Sequence, residues 1–447
     1  MEQIKNKTEQ LDLDRGTAAF SQTAVALSLK GRIRDVVTVD PAVGEARRDV
    51  YFADGLFAEP FAGPYDLDLA ADDLLLLPGL IDAHAHLRDP GLEYRETIKT
   101  GTRSAVAGGF TGVASMPNTK PVADNAAVVT YICSKAKAEG YCKVYPIGAV
   151  SKGQAGSELA EIGLMKEAGI VAISDDGSPV STAAMMEKAM VYAADFGLTV
   201  IDHCEDMTLA EGSMNEGYNS TRMGVKGIPS AAEDIIVARD LILAEYLKLP
   251  VHIAHVSTKG AVAMIRQAKS RGVQVTAETC PHYFALTDDA CLGFNTYARV
   301  NPPLRQPEDV AAIIAGLADG TIDVIATDHA PHHADEKEVE FDRANNGFVG
   351  FETALALGYT YLVQPGHLSL LELVDKMTRQ PARLFGLPTG SLKVGRPADF
   401  CLFDPTATWQ VDRFRQASKA QNSPYQGVAL QGLVKLTAVD GKVVFAL

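Results

Sequence analysis

The sequence predicts an α/β protein, a (β/α)8 TIM barrel with a small β-sandwich-like module built from both chain ends. Three observations favour this fold class. The chain has 447 residues, 47% of them hydrophobic and 22% charged, which is enough for a large core and a smaller second module. A short aliphatic run, a polar loop and an amphipathic helical pattern recur eight times in the middle of the chain. Alternating, turn-rich segments typical of strands flank that middle on both sides.

The predicted organisation follows the chain in order. Residues 1–22 are polar and lack periodicity, so we expect a loosely ordered leader. Residues 23–77 and 386–447 contain short alternating segments broken by Gly, Pro and Asp, and together they form the composite β module. Residues 78–385 form the barrel.

Eight aliphatic or β-branched runs are the predicted barrel strands. They cover residues 79–86, 111–116, 143–150, 170–175, 198–203, 250–256, 274–279 and 322–327. A doubly wound open sheet is the competing architecture, but it is expected to carry a glycine-rich phosphate loop after its first strand. The sequence there reads IDAHAHLRDPG, which is not such a loop and favours the barrel.

Charge and composition exclude several classes of function. Lys and Arg total 41 against 56 Asp and Glu, which gives a net charge of -15 and argues against nucleic acid as a partner. The first residues lack the apolar segment of a signal peptide, and no apolar run is long enough for a membrane span. We therefore expect a soluble cytoplasmic protein without a membrane partner. The six cysteines show no C-x-x-C spacing and are interpreted as reduced packing thiols.

Polar residues that are costly to bury collect at the carboxyl ends of the predicted strands, where barrels keep their active sites. His84 and His86 end the first strand and face the same way, because side chains two residues apart share a face. The other candidates end the fourth, fifth, sixth and eighth strands: Asp175 or Asp176, His203, His255 and Asp328. A single histidine would more often be an ordinary core residue, but six coincident positions favour a site.

Imidazole nitrogens and carboxylate oxygens of this kind suit zinc, and a shared carboxylate allows two ions to bind. We therefore expect two Zn2+ per chain and hydrolysis of an amide-like bond. The remaining histidines are assigned elsewhere. His252 is assigned to packing, His282, His333 and His367 to loops or the surface, and His329 to an unsupported hydrogen-bonding role beside Asp328.

Seven motifs follow one another along the chain: PGLIDAHAHLRDPG, GGFTGVASMPNTKPV, ISDDG, HCED, HIAHVST, VNPPLR and ATDHAPH. From about residue 24 to the C-terminus, the sequence resembles the dihydroorotases of the amidohydrolase superfamily, in particular the long bacterial type with an aspartate as metal bridge. Arg88, Asn118 and Asn301 narrow the resemblance from the whole superfamily to the substrate class of the dihydroorotases.

The resemblance implies a ligand set. His84, His86 and Asp328 would hold one metal, His203 and His255 the other, and Asp176 would bridge them, with Asp175 as the alternative because strand alternation does not decide between the two. Some related enzymes bridge with a carbamylated lysine instead. Lys143 and Lys152 are the candidates for that role, and both are interpreted as solvated.

The implied reaction is the reversible hydrolysis of (S)-dihydroorotate to N-carbamoyl-L-aspartate in pyrimidine (UMP) biosynthesis, with Asp328 as general base and acid. The implied substrate contacts are His86, Arg88, Asn118, Asn301, His332, Asn346 and Gly347. The family segment around 346 more often carries Pro and Phe where this chain has Asn345 and Asn346. Residues 206–230 are expected to form a lid or a long connection.

Two rival functions remain open at this point. A hydantoinase or allantoinase would share the barrel and the metals but would open other cyclic ureides. A metal-free scaffold that binds aspartate transcarbamoylase is the second rival, because dihydroorotase-like chains can serve as its structural partners. The resemblance also implies a homodimer, and it leaves room for an aspartate transcarbamoylase complex with an active chain.

Overall fold

The structure is a computed structural model that describes residues 18–20, 29–71 and 73–447. Its strands are numbered β1 to β19 and its helices α1 to α13 in chain order. Two large sheets organise the fold, one mixed sheet of nine strands from the two chain ends and one parallel sheet of eight strands from the middle. Among the helices of these residues, none combines the length and the apolar character needed to cross a lipid bilayer.

The nine-stranded sheet joins the two ends of the chain. Its strands are β1 (Ala19–Phe20), β2 (Gly31–Asp40), β3 (Gly44–Ala53), β4 (Leu56–Ala58), β5 (Leu67–Ala70), β6 (Leu75–Pro78), β17 (Phe400–Gln410), β18 (Ala429–Val439) and β19 (Lys442–Ala446). They follow the order β1-β19-β18-β17-β6-β2-β3-β4, with β5 also paired to β2. The central pairing of β17 with β6 joins the two chain ends in one β module, whereas the predicted limits of that module, 23–77 and 386–447, stay a prediction.

Part of the predicted leader is ordered. Ala19 and Phe20 pair with Ala446 and Phe445 of β19, and the two phenylalanine rings lie 5.3 Å apart. These two residues pair with the edge of β19, whereas the extent of the leader stays a prediction. Residues 1–17, 21 and 22 of that prediction lie outside the described residues.

The parallel sheet is a nearly closed barrel, as predicted. Its strands are β7 (Leu80–Ala85), β8 (Phe110–Ser115), β9 (Lys143–Gly148), β10 (Ala172–Ile173), β11 (Val200–Asp202), β14 (Val251–Ile253), β15 (Val275–Thr279) and β16 (Val324–Ile325). They are adjacent in chain order. The barrel closes where the amide of His86 donates to the carbonyl of His329 over 2.8 Å. Several strands end earlier than predicted, because the polar residues after them leave the ladder; His255 and Asp328 have φ values of 31° and 46°.

Helices cover the outside of the barrel. They are α1 (Ile98–Ala107), α2 (Ala126–Glu139), α3 (Ile162–Ala168), α4 (Ala183–Asp195), α5 (Tyr218–Met223), α6 (Ala231–Leu247), α7 (Lys259–Ser270), α8 (Pro281–Ala285), α9 (Pro307–Ala318), α10 (Ala334–Lys337), α11 (Phe351–Gly358), α12 (Leu370–Met377) and α13 (Arg379–Phe385). Thr97, Asn125, Thr182 and Thr258 cap four of them by accepting from amides of the first turn. Short 3-10 turns occur at Lys152–Gln154, Asp288–Cys291, Thr296–Ala298 and Arg413–Arg415, and a π-helical turn at Tyr359–Val363.

Residues 206–230 form a small structured insert. It contains α5 and the parallel pair of β12 (Met214–Asn215) and β13 (Gly227–Ile228). The buried guanidinium of Arg305 donates to Asn215 Oδ1 over 3.1 Å and to the carbonyl of Ile228 over 3.3 Å. The insert is thus anchored to the barrel, and its expected role as a lid or a connection stays a prediction.

Buried thiols and apolar side chains fill the interior. All six cysteines are free, and all but Cys133 are buried. A separate apolar cluster that includes Phe52, Phe57 and Phe400 lies within the nine-stranded sheet. Each of the two sheets therefore has apolar packing of its own, and the barrel holds the predicted polar residues at its carboxyl end.

Candidate metal centre

The structure brings the six predicted ligands together at the carboxyl end of the barrel. All are buried: His84, His86, Asp176, His203, His255 and Asp328. Asp176 lies at their centre. Its Oδ1 is 3.4 Å from a ring nitrogen of each of three residues, His84, His203 and His255, and its Oδ2 is 3.6 Å from Nε2 of His86. One carboxylate is therefore shared by two pairs of histidines, and each pair with Asp176 forms a group whose ligand atoms lie within 4.8 Å of one another.

The ring nitrogens of this cluster are better placed to bind a metal ion than to form hydrogen bonds with one another. Nε2 of His84 is buried without a hydrogen-bond partner among the described residues. Nδ1 of His203 lies 2.9 Å from Nε2 of His255, and both nitrogens lie 3.4 Å from Oδ1 of Asp176, so the two rings point to one place. Buried unpaired nitrogens are costly unless they bind a ligand. The donor set, imidazole and carboxylate, therefore fits a metal cofactor.

Asp328 lies at the edge of this cluster and lines the cavity above it. Its Oδ1 is 3.1 Å from Nε2 of His86 and 3.8 Å from Nε2 of His84. The residue has a φ of 46°, an uncommon backbone conformation for aspartate. β16 ends at Ile325, and the backbone conformation at Asp328 turns its carboxylate towards the cluster.

The neighbouring Asp175 does not reach the cluster. Its carboxylate accepts from the amide of Val150 over 2.8 Å and from the amide and the hydroxyl of Ser151. These bonds hold it on the loop after β9, because three donors satisfy it there. The geometry therefore supports Asp176 over Asp175 as the shared ligand.

Neither candidate for a carbamylated lysine is near the cluster. Nζ of Lys143 lies 2.7 Å from carboxylate oxygens of Asp399 and Asp440, and Lys152 pairs with Glu158 on the surface. The interpretation of Lys143 as solvated is wrong, since its position at the start of β9 buries most of it in these ion pairs.

Two carboxylates that the sequence analysis missed support the ligands. Glu278 on β15 lies 2.7 Å from Nδ1 of His84 and 3.2 Å from Nε2 of His252. Glu205 lies 3.2 Å from Nε2 of His203 and accepts from Nδ2 of Asn301 over 2.9 Å. Such partners orient a ligating imidazole and fix which nitrogen carries the proton. The sequence signal for Glu278 was its position inside a buried strand, where a charged side chain is rare unless it has a partner.

The charges of the cluster favour a bound cation. Burial raises the pKa of Asp176, but three neighbouring imidazoles outweigh that effect and hold this pKa well below its usual range. Burial lowers the pKa of His203, yet the carboxylates of Asp176 and Glu205 raise it to about 10. Burial likewise raises the pKa of Asp328, and its hydrogen bond to His86 brings it to about 2. The carboxylates therefore stay ionised and attract positive charge, whether protons or metal ions.

A cavity of about 210 Å³ lies above the cluster. All the residues expected to contact substrate line it: His86, Arg88, Asn118, Asn301, His332, Asn346 and Gly347. The cavity walls thus combine ligand side chains with neutral amides and one guanidinium. Its size suits a small cyclic molecule rather than a polymer.

Arg88 is the cationic group of this cavity. Its guanidinium is buried, its Nε donates to the carbonyl of Pro331 over 3.2 Å, and its Nη2 lies 3.4 Å from Nε2 of His332. Burial lowers the pKa of Arg88 to about 10, which leaves it a cation at neutral pH. Among the described residues, no carboxylate forms an ion pair with it.

The amides and the loop are held in place by the site itself. Oδ1 of Asn118 lies 2.8 Å from Nδ1 of His86, and its Nδ2 donates to Asp176 over 3.3 Å. Nε2 of His332 donates to the carbonyl of Asn346 over 2.7 Å. Gly347 has a φ of 110°, and a Cβ there would lie 2.5 Å from that of Ala330. The loop therefore depends on glycine at 347, whatever residues precede it.

The histidines assigned elsewhere stay outside the cluster. His252 is buried and bonds Thr276 and Glu278, as expected for a packing residue. His333 and His367 are exposed. The surface assignment of His282 is wrong, because α8 turns its ring inward against Phe348, with 4.8 Å between ring centroids.

His329 supports the barrel by its backbone and packs by its ring. Its carbonyl closes the barrel with His86, and its imidazole stacks on Phe351 at 4.0 Å. The ring of His329 does not hydrogen-bond Asp328 in support of the predicted role. Its Nδ1 accepts from the amide of Gly350 over 3.2 Å instead.

A TIM barrel with these polar groups at its carboxyl end defines a metal-dependent hydrolase of the amidohydrolase class. The chain matches the model of a family described as dihydro-orotase-like over residues 73–261, and that of the amidohydrolase family over residues 318–445. It is 58% identical over 413 residues to a dihydroorotase of Acetivibrio thermocellus, covering 92% of this chain and 94% of the relative. It is 56% identical over 411 residues to a dihydroorotase of Ruminiclostridium cellulolyticum, covering 92% and 94%. The chain therefore belongs to the dihydroorotase family.

Solved structures agree on the fold. The L-hydantoinase (dihydropyrimidinase) from Arthrobacter aurescens superposes with a TM-score of 0.84 at 26% identity, covering 93% of this chain and 96% of that one. Dihydropyrimidinase from Brevibacillus agri superposes with a TM-score of 0.82 at 23% identity, covering 93% and 95%, and shows the fold alone.

Proposed function

We propose that this chain is a dihydroorotase, which hydrolyses the cyclic amide of (S)-dihydroorotate reversibly to N-carbamoyl-L-aspartate in pyrimidine biosynthesis. Family membership at 58% identity supports this reaction. One structural observation favours it over related reactions. The buried guanidinium of Arg88 faces the cavity without a carboxylate partner among the described residues, so the substrate is expected to bring one.

We assign the metal site to zinc, with two ions per chain. His84, His86 and Asp328 would hold one ion, and His203 and His255 the other. Asp176 would bridge them, which its central position between the histidine pairs supports. Zinc ions bound there would supply an activated water and polarise the carbonyl of the scissile amide.

Asp328 is the proposed general base and acid. It lies beside the ligand His86 and lines the cavity, so one carboxylate reaches both the attacking water and the leaving nitrogen. In hydrolysis, the ring C–N bond breaks, a C–O bond forms, and Asp328 passes the proton of the water to the nitrogen. Because the new carboxylic acid then ionises, ring closure consumes a proton, and acid favours the cyclic form.

Arg88, Asn301 and His332 are the proposed walls of the substrate site. The fork of Arg88 pairs with the ring carboxylate. Nδ2 of Asn301 is held by Glu205, and the buried Oδ1 has no partner among the described residues, so it is free to accept from a substrate N–H. Asn118 holds His86, and the backbone at Asn346 and Gly347 forms the remaining edge.

The closing experiment measures turnover of dihydroorotate beside hydantoin and allantoin, together with the bound metal of each preparation. We expect turnover of dihydroorotate alone and close to two zinc ions per chain. The matched variant Asp328→Ala is expected to lose most of kcat, typically 10²–10⁴-fold for a general base. An unchanged rate in that variant would remove the acid-base assignment, and preference for hydantoin would favour the rival enzyme. A chain that binds no zinc in metal-replete medium would favour the scaffold.

Two further expectations concern the surroundings of the enzyme. We propose a cytoplasmic homodimer, and we expect a complex with aspartate transcarbamoylase to be compatible with activity. The family resemblance supports these expectations. Light scattering of the purified chain, alone and mixed with aspartate transcarbamoylase, tests both assemblies.

A further inference from the structure

The segment 416–423 belongs to the C-terminal part of the chain but lies against the barrel. It connects β17 and β18 of the nine-stranded sheet. The amides of Ala417 and Ser418 donate to Glu352 Oε1 over 2.8 and 3.3 Å, and Nε of Arg103 donates to the carbonyl of Ala417 over 3.0 Å. These bonds attach the segment to α1 and α11. It is therefore fixed relative to the barrel.

Asn422 extends from this segment into the wall of the substrate cavity. Its side chain is 2% exposed. Oδ1 accepts from the amide of His332 over 3.1 Å, and Nδ2 donates to the carbonyls of Ala330 and Gly347 over 3.0 and 3.1 Å. Its own carbonyl accepts from the amide of Val349 over 3.1 Å. The side chain of Asn422 thus ties residues 330–332 to Gly347, and its main-chain carbonyl adds a bond to Val349.

The two strips of the wall that Asn422 joins, 330–332 and 347–349, both carry residues that line the cavity. His332 and Gly347 are among the proposed substrate contacts, and His332 also donates to the carbonyl of Asn346. Every hydrogen-bonding atom of the Asn422 side chain is used in holding these strips, and none is left to meet a ligand. A change at this residue is therefore expected to alter the spacing of the strips without removing a group that touches substrate.

We propose that Asn422 is a positioning residue for substrate binding, and that the C-terminal segment takes part in recognition through it. The inference rests on the proposed function, since it concerns the same cavity. Asn422 hydrogen-bonds His332, Ala330, Gly347 and Val349 and none of the six proposed ligands, so we expect its substitution to leave metal binding unchanged. Misplacing a substrate-holding group by about 1 Å can cost about 10²-fold in catalysis.

The test compares Asn422→Ala with a matched variant, Asn219→Ala. Asn219 is also a buried asparagine whose Nδ2 donates twice, to Asp288 and Asp289 over 2.8 and 2.9 Å, but it lies in the insert and does not line the cavity. Both variants are expected to lose similar thermal stability. Only Asn422→Ala is expected to raise KM for dihydroorotate, by about ten- to hundredfold, with a smaller loss in kcat and with wild-type metal content.

A second variant keeps the test decisive where Asn422→Ala folds poorly. Asn422→Asp preserves the shape and the acceptor for the amide of His332, but a carboxylate cannot donate to the carbonyls of Ala330 and Gly347. We expect it to raise KM as well. An unchanged KM in the folded Asn422 variants overturns the inference and leaves the proposed function intact. A wild-type chain that does not turn over dihydroorotate overturns the proposed function instead, and the inference with it.

Discussion

Two buried clusters of ionisable side chains meet at the carboxyl end of β11, and they satisfy their charges differently. His203 belongs to the metal-site cluster of six ligands. Asp202 belongs to a second group, the arginine cluster of Asp202, Cys204, Arg239 and Asp240, whose carboxylates and thiol also lie within metal-binding distance of one another. In that cluster, Arg239 donates to Asp202 over 2.9 Å and to Asp240 over 2.8 Å.

The guanidinium of Arg239 supplies this cluster with the positive charge that a metal ion would otherwise supply. The metal-site cluster has no permanent cation among the described residues, because Asp176 forms ion pairs only with histidines, and an imidazole can give up its proton to a metal ion. Burial and the neighbouring Asp240 raise the pKa of Asp202 well above its usual range, whereas the imidazoles hold that of Asp176 well below. Proximity of buried ligand atoms therefore does not by itself define a metal site. The arginine cluster holds a permanently charged guanidinium, whereas the metal-site cluster holds imidazoles that can exchange their protons for a metal ion.

The largest effect is expected from Asp176→Ala, which removes the only ligand shared by both histidine pairs. Activity is expected to fall to the background and bound metal to fall towards zero, measured by turnover and by elemental analysis of the folded protein. Asp175→Asn is the control. It disturbs hydrogen bonds to Val150 and Ser151 and is expected to cost stability while retaining metal. Full metal content in Asp176→Ala would contradict the comparison.

Arg239→Met is expected to have the largest effect on folding. It leaves the carboxylates of Asp202 and Asp240 buried without their cation, which typically costs about 3–5 kcal/mol in the free energy of unfolding. Denaturant titration measures this loss. The folded fraction is expected to bind wild-type amounts of metal and to turn over at nearly the wild-type rate. Gain of a metal ion at the arginine cluster with unchanged stability would break the distinction drawn above.

Glu278→Gln tests the comparison through the metal affinity of the metal-site cluster. Gln keeps the shape but weakens the hydrogen bond that orients His84, and loss of such a support typically lowers metal affinity about 10–100-fold. Competition with a chelator measures the affinity. Asp240→Asn, which alters the arginine cluster instead, is expected to lower stability and to leave that affinity unchanged. Equal affinities in both variants would argue against Glu278 as a support.

The smallest effect concerns His282, a buried histidine that belongs to neither cluster. Burial among aromatic rings lowers its pKa to about 3. Between pH 3 and the unfolded pKa near 6.5, the unfolded chain binds the extra proton, so the free energy of unfolding contributed here falls as pH falls through that window. His282→Gln is expected to reduce this slope by about 1.4 kcal/mol per pH unit. An identical slope in both proteins, from denaturant titrations across that range, would show that His282 is not buried neutral.

Much of the fold could be predicted because the periodicity of strands and helices and the Gly, Pro and Asp residues of loops are local properties of the sequence. The eight barrel strands and the joining of both chain ends were predicted correctly. The pairing of Ala19 and Phe20 with β19 could not be, since two residues carry no periodicity and the pairing depends on a distant strand edge.

That the six candidate ligands lie together could be predicted because a barrel brings all carboxyl strand ends to one rim. The choice between Asp175 and Asp176 could not, because it depends on which donors the loop after β9 presents. Glu205 and Glu278 were missed for a related reason. Glu278 contacts His84 only because strands distant in sequence become neighbours, and Glu205 contacts His203, two residues before it, only because of the path that the chain takes after β11.

The position of the C-terminal segment against the cavity bears on how the protein matures. A chain is synthesised from its amino end, and early portions begin to fold first. All six proposed ligands precede residue 329, so a nascent polypeptide acquires its complete set of ion-binding groups well before Asn422 emerges. Under this order of synthesis, the capacity to take up metal precedes the finished substrate wall, and competence for turnover arrives last.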